Sequence, residues 1–170
     1  NESITHVVIP ASVNSIGSYA FSGAGYLTTV EFTGESSETL TIGDHAFYEI
    51  YHKEEIEDDY GWSDYINVGI GNIALPDRSI VIGEYAFAEN PTITSFDLGG
   101  TTEIGNYAFS GTGAIDDSGG DDVMLLNITI PASVTTIGNY AFEGSYDALV
   151  GEVTFEEGSQ LKTIGAHAFD

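Results

Sequence analysis

The sequence predicts a solenoid: one small coil of short strands and turns, repeated along an axis, with little α-helix. Three observations predict it. The hexapeptide Ile-Gly-x-x-Ala-Phe occurs six times, starting at Ile16, Ile42, Ile82, Ile104, Ile137 and Ile164. A second segment, apolar-x-x-apolar-x-apolar, also occurs six times, starting at Ile4, Leu27, Ile70, Ile93, Leu125 and Val150. The two alternate in phase: starts of the second segment lie 23, 43, 23, 32 and 25 residues apart, and each hexapeptide follows 11–15 residues behind. A base period of 23 with insertions accounts for both series, which is the signature of stacked supersecondary units.

Each part of the coil follows from its residue types. In Leu125–Ile130 the last four residues alternate as a half-buried strand should. Pro10, Pro76 and Pro131 directly follow three such segments and mark strand ends, because proline donates nothing to a ladder. The glycine of each Ile-Gly step permits either a positive φ or close approach of a neighbouring coil. The fourth place of the hexapeptide is Tyr or His, and His45 and His167 are read there as structural rings. All nine phenylalanines fall at repeat positions, six in Ala-Phe and three (Phe32, Phe96, Phe155) at apolar strand places. They form the expected core, with the Phe of one coil stacked on the next; burying each contributes about 1.5–3 kcal/mol.

Composition removes whole classes of function. Twenty-seven acidic residues stand against Lys53, Arg78 and Lys162, a formal net charge of −24. Three scattered cations cannot grip a phosphate backbone, so no nucleic acid is expected as partner. Acidic membrane surfaces would repel the chain, and no apolar run reaches the ~18–20 residues of a spanning helix, so no direct membrane insertion is expected. With no cysteine, disulfides, thiolate nucleophiles and Cys-ligated metals are excluded. His52-Lys53-Glu54-Glu55-Ile56 lacks the second His of a zincin, and no nucleophile elbow or P-loop occurs. Gly69–Ala74 has the letters of a dinucleotide fingerprint, but it lies across a repeat strand instead of between a strand and a helix. The expectation is no enzyme.

Ile128-Thr129-Ile130-Pro131-Ala132-Ser133-Val134-Thr135-Thr136-Ile137-Gly138-Asn139-Tyr140-Ala141-Phe142 resembles the BspA-type (Treponema-like) leucine-rich repeat, and Ile9 to Phe21 matches equally well. Six in-phase copies carry the resemblance over nearly the whole chain. It implies a right-handed leucine-rich repeat solenoid with a parallel β-sheet on its concave face and short strands and turns on the convex face. It also implies an extracellular or cell-surface protein that adheres to a protein or glycan of a host or neighbouring cell. That family often places Cys three residues after the Phe of Ala-Phe, where this chain has Ala24, Ile50, Asn90, Thr112 and Ser145.

Candidate contacts follow from the coil. The third and fifth places of the strand segment point away from the core, and Thr29, Glu31, Asn72, Ser95, Asp97, Asn127, Thr129 and Glu152 are the ligand-binding candidates on that face. The bland alternative is a solvated sheet surface, since threonine is simply a good strand former. An insertion near residues 48–69 adds Tyr51, Tyr60, Trp62 and Tyr65 among many carboxylates. Such rings either supply an interface or fold back on the solenoid flank. A second insertion near 113–122 carries Asp116, Asp117, Asp121 and Asp122. These are oxygen ligands for a weak calcium site, or a solvated acidic turn; their spacing fails the EF-hand pattern. No other cofactor is expected.

The chain starts and stops inside its repeat and is read as one array of about six coils excised from a longer protein. It is expected to be monomeric or to make end-to-end contacts through exposed repeat ends. The expectation is therefore a non-enzymatic adhesive module, the alternative a rigid acidic spacer or accessory repeat region.

Overall fold

A computed structural model describes residues 4–57, 63–113, 125–144 and 149–170. Among them the regular structure is strand alone. In chain order the first seven strands are β1 (His6–Pro10), β2 (Ser15–Ile16), β3 (Thr29–Thr33), β4 (Leu40–Ile42), β5 (Tyr51–Glu57), β6 (Ser63–Gly69) and β7 (Asn72–Ala74). The rest are β8 (Ile80–Ile82), β9 (Ser95–Asp97), β10 (Thr101–Ile104), β11 (Leu125–Ile130), β12 (Thr136–Ile137), β13 (Leu149–Phe155) and β14 (Thr163–Ile164). The fold is a β-solenoid of parallel strands, as the repeats predict.

The unbroken sheet lies where the sequence did not place it. Strands β2, β4, β8, β10, β12 and β14, which carry the isoleucine of each Ile-Gly step, form one parallel six-stranded sheet in coil order. Ile16, Ile42, Ile82, Ile104, Ile137 and Ile164 stack in register along it. The apolar-x-x-apolar-x-apolar strands, expected to carry the continuous sheet, pair only in twos: β1 with β3, β7 with β9, β11 with β13. Chain spacing explains the breaks. Those pairs join segments 23 or 25 residues apart, whereas the 43- and 32-residue steps fall between β3 and β7 and between β9 and β11. Extra chain between two coils displaces the strand segment that follows it; the hexapeptide, closed on itself as a turn, stays in line.

Two columns of rings run beside the isoleucine ladder. Phe21, Phe47, Phe87, Phe109, Phe142 and Phe169 stack successively at centroid distances of 5.0–5.4 Å. Tyr19, His45, Tyr85, Tyr107, Tyr140 and His167 form the second column at 4.6–4.9 Å. Offset stacking of this kind adds about 0.5–1.5 kcal/mol per pair beyond area burial. The first column is core from Phe47 to Phe142, with Phe47, Phe87 and Phe109 fully buried among isoleucines and leucines, while Phe21 and Phe169 in the outermost coils are partly buried. Phe32 and Phe96 pack partly buried against the core, but Phe155, expected there too, is 39% exposed in the last strand pair, with no later coil to cover it.

Of the two roles open to the Ile-Gly glycines, close approach is the one realised. A Cβ on Gly138 would sit 2.5 Å from the backbone of Gly105 and Asn106, and one on Gly83 2.6 Å from the Asp44 carboxylate and 2.8 Å from its backbone nitrogen. The positive φ falls instead on the Tyr or His two residues later, all six at 53–58°. A non-glycine residue there costs about 1–2 kcal/mol, offset by the ring column and by a backbone bond to the next coil, such as Tyr85 N–H to Asn106 O at 3.0 Å.

Where the family often has Cys, Asn90 is completely buried and bonded on both sides of its amide. Its Nδ2 donates to Phe47 O at 2.8 Å and Phe87 O at 2.7 Å, while Oδ1 accepts from Ile50 N–H at 2.6 Å. It joins the coil that ends at Ile50 to the next one by hydrogen bonds, which a small apolar residue at this place could not make.

Candidate functional site

The outward places of β1, β3, β7, β9, β11 and β13 form a polar surface. Thr29, Glu31, Asn72, Ser95, Asp97, Asn127, Thr129 and Glu152 are all exposed there, together with His6 and Val8. Register sets His6 beside Thr29 and Val8 beside Glu31, then Asn72 beside Ser95 and Ala74 beside Asp97. In β11 and β13 the register shifts, and the Asn127 Oδ1 accepts from Glu152 N–H at 3.1 Å while Thr129 faces Thr154. His6 Nε2 lies 3.6 Å from the Glu31 carboxylate, an exposed contact that adds little to stability. The surface carries carboxylates in each strand pair and is divided by the two longer steps.

The first insertion is an antiparallel hairpin, β5 against β6, seven residues in each strand. Alternation puts His52, Glu54 and Ile56 with Ile66 and Val68 on one face, and Tyr51, Lys53 and Glu55 with Tyr65 and Asn67 on the other. Tyr51 is half-buried at the base, whereas Tyr65 is 52% exposed and sits opposite Glu55. Ile56 and Ile66, exposed at 42% and 44%, belong to the same excursion and were missed as candidates. The signal for a strand here was the spacing of Ile66 and Val68, two places apart. Tyr60 and Trp62 lie outside the described residues.

His52 fastens the base of this hairpin to the solenoid. Its ring stacks on Tyr26 at 4.1 Å, Nδ1 is 2.8 Å from Gly25 O and Nε2 is 3.1 Å from the Glu54 carboxylate. The carbonyl bond to Gly25, followed by the bond to Glu54, pushes the imidazole above its ordinary range. Elsewhere, burial first and nearby glutamates second raise the hydroxyls of Tyr48 and Tyr85, so both stay protonated.

Asp116, Asp117, Asp121 and Asp122 lie outside the described residues. Among the described ones, no three His, Asp or Glu side chains gather closely enough to hold a metal ion. No helix there is long and apolar enough to cross a membrane.

A family model described as the BspA type leucine-rich repeat region matches residues 1–60, 60–118 and 121–170 in six copies. The chain belongs to the BspA-type leucine-rich repeat family. A search of curated proteins finds no match. Among solved structures, the chain is similar to a leucine-rich cell surface protein from Faecalibacterium prausnitzii A2-165, at 18% identity and a TM-score of 0.28. That match covers 91% of this chain and 60% of the other. The BspA-type array accounts for the exposed polar strand face and the hairpin as additions to a repeat core.

Proposed function

We propose that this BspA-type array is a non-enzymatic binding module of a cell-surface or secreted protein, contacting a protein or glycan through its hairpin and the adjoining strand face. The observation that carries the reading is the hairpin. A two-stranded ribbon leaves the repeat core, exposes Ile56, Tyr65 and Ile66, and is held at its base by a stacked, doubly bonded histidine. A two-stranded hairpin is marginal alone in water, so an anchored one with apolar side chains outward suits contact with another surface. The acidic strand face favours a partner with basic groups through steering, which is a statement about attraction and not about identity.

The test is saturable binding of the fragment to a panel of extracellular-matrix proteins and glycans, in calcium and again in EGTA. Replacing Tyr65 and Ile66 together by Ala is expected to weaken binding at least about tenfold, or about 1.4 kcal/mol, at unchanged melting temperature. Loss of binding in EGTA would assign calcium to the stretch from Asp116 to Asp122. A blank panel in both buffers favours the rigid acidic spacer.

A further inference from the structure

The second coil departs from its neighbours between strand and hexapeptide. Nine residues, Thr33 to Thr41, separate Phe32 from Ile42, where the first coil uses six between Ile9 and Ile16. Beside this longer loop, at the C-terminal ends of β1, β3 and β7, lies a cavity of about 580 Å³, a size that suits a small organic group. Ile9 and Phe32 supply apolar wall, Ser37 a hydroxyl, and Glu35 and Asp77 carboxylates. Both acidic residues are exposed, and neither carboxylate has a hydrogen-bond or ion-pair partner among the described residues. Arg78 borders the cavity too, but its guanidinium is buried and committed to the first coil. Its Nη1 donates to Ala11 O at 3.0 Å and to the Asn14 Oδ1 at 3.3 Å, and its Nη2 to Val13 O at 2.7 Å.

We propose that the cavity binds a primary ammonium group on an aliphatic stem, the chemistry of a lysine side chain or of a small free amine. Charge decides the sign of the ligand. Two carboxylates against one guanidinium leave the wall with a net charge of −1, and the whole molecule, at −24, adds a field of the same sign. An anion is repelled on both counts. A monocation balances the wall, and its N–H groups offer the carboxylates the donors that they lack. The apolar wall accounts for the stem: methylenes pack on Ile9 and Phe32 while the charged head stays among polar groups, which is how a lysine side chain divides itself. The hairpin base lies against Gly25, ahead of β3 and so at the other ends of these strands. The cavity is therefore separate from the surface read as adhesive.

The probe is lysine capped as Nα-acetyl-lysine N-methylamide, titrated into the protein at low salt and followed in a ¹⁵N spectrum. Saturable shifts are expected at the amides of residues 33–37, 77 and 78, with a dissociation constant on the order of 1 mM. Capped norleucine, which keeps the stem without the ammonium, should bind about tenfold more weakly or worse, and so should glucose. Glu35→Gln combined with Asp77→Asn should weaken the lysine probe about tenfold. The melting temperature should not change, since both side chains are exposed and unpartnered. Butylamine that matches capped lysine would assign the cavity to a free amine, and a preference for capped lysine to a protein side chain; either supports the proposal. Tyr65→Ala with Ile66→Ala should leave the titration unchanged, so failure here and failure of the hairpin reading are distinguishable. Absent shifts at residues 33–37, norleucine or glucose binding as tightly as the lysine probe, or unchanged affinity in the double variant would each overturn the proposal.

Discussion

Single positions decide how closely the coils approach. Glycine follows isoleucine because the next backbone occupies the space a methyl group would need, and this differs measurably along the array. A Cβ on Gly138 meets backbone at 2.5 Å, whereas one on Gly17, in the first coil, meets nothing within 4 Å. Gly138→Ala is therefore expected to cost about 3 kcal/mol, and Gly17→Ala to stay within about 0.5 kcal/mol, both from chemical denaturation. Equal effects would mean that coil spacing is not what requires glycine. The Asn90 amide is a second case: its acceptor and donor serve two coils at once, which a small apolar residue cannot do.

At the scale of the element, the hairpin depends on the protonation of one side chain. A neutral imidazole donates from only one nitrogen, yet His52 faces an acceptor at each, the Gly25 carbonyl and the Glu54 carboxylate. The imidazolium satisfies both. Tyr26 covers its ring, and Val68 backbone completes the surroundings from β6. Because the folded value is raised above the ordinary 6.5, the anchoring is fully present below that pH and is lost as pH rises through the folded value. Amide-exchange protection of residues 51–56 and 65–69 should fall over that window, and His52→Gln should flatten the dependence. Protection that rises with pH would contradict the pair of hydrogen bonds made by the imidazolium.

The whole molecule carries −24 charges against itself. Its cohesion comes from uncharged repetition: the isoleucine ladder, the phenylalanine column and the backbone bonds of each hexapeptide, such as Gly105 N–H to Ile82 O and Phe87 N–H to Ala108 O, both 2.8 Å. Repulsion among exposed carboxylates opposes this and is screened over about 8–10 Å at physiological salt. The melting temperature should therefore rise by a few degrees between about 10 mM and 500 mM sodium chloride. Calorimetry checks this, and an unchanged midpoint would show that the carboxylates are too dispersed to strain the array.

Much of this architecture was legible in the residue order. Six in-phase hexapeptides require stacked coils, because one coil cannot bury its own Ile, Ala and Phe, and the Phe column follows from their equal spacing. The exposed strand places also followed from alternation, which puts Thr29, Ser95 and Thr129 opposite the core whatever the neighbours do. Tertiary structure decided which ladder is continuous, because a long insertion displaces a strand segment while a closed turn keeps its place. It also decided that Tyr and His, and not glycine, take the positive φ, since the next backbone crowds the glycine while the ring column and a bond to the next coil hold the aromatic residue. The place of Arg78 was invisible for a similar reason: its buried guanidinium reaches past one coil to Ala11, Val13 and Asn14, residues 64–67 positions away, and local pattern carries no trace of that contact.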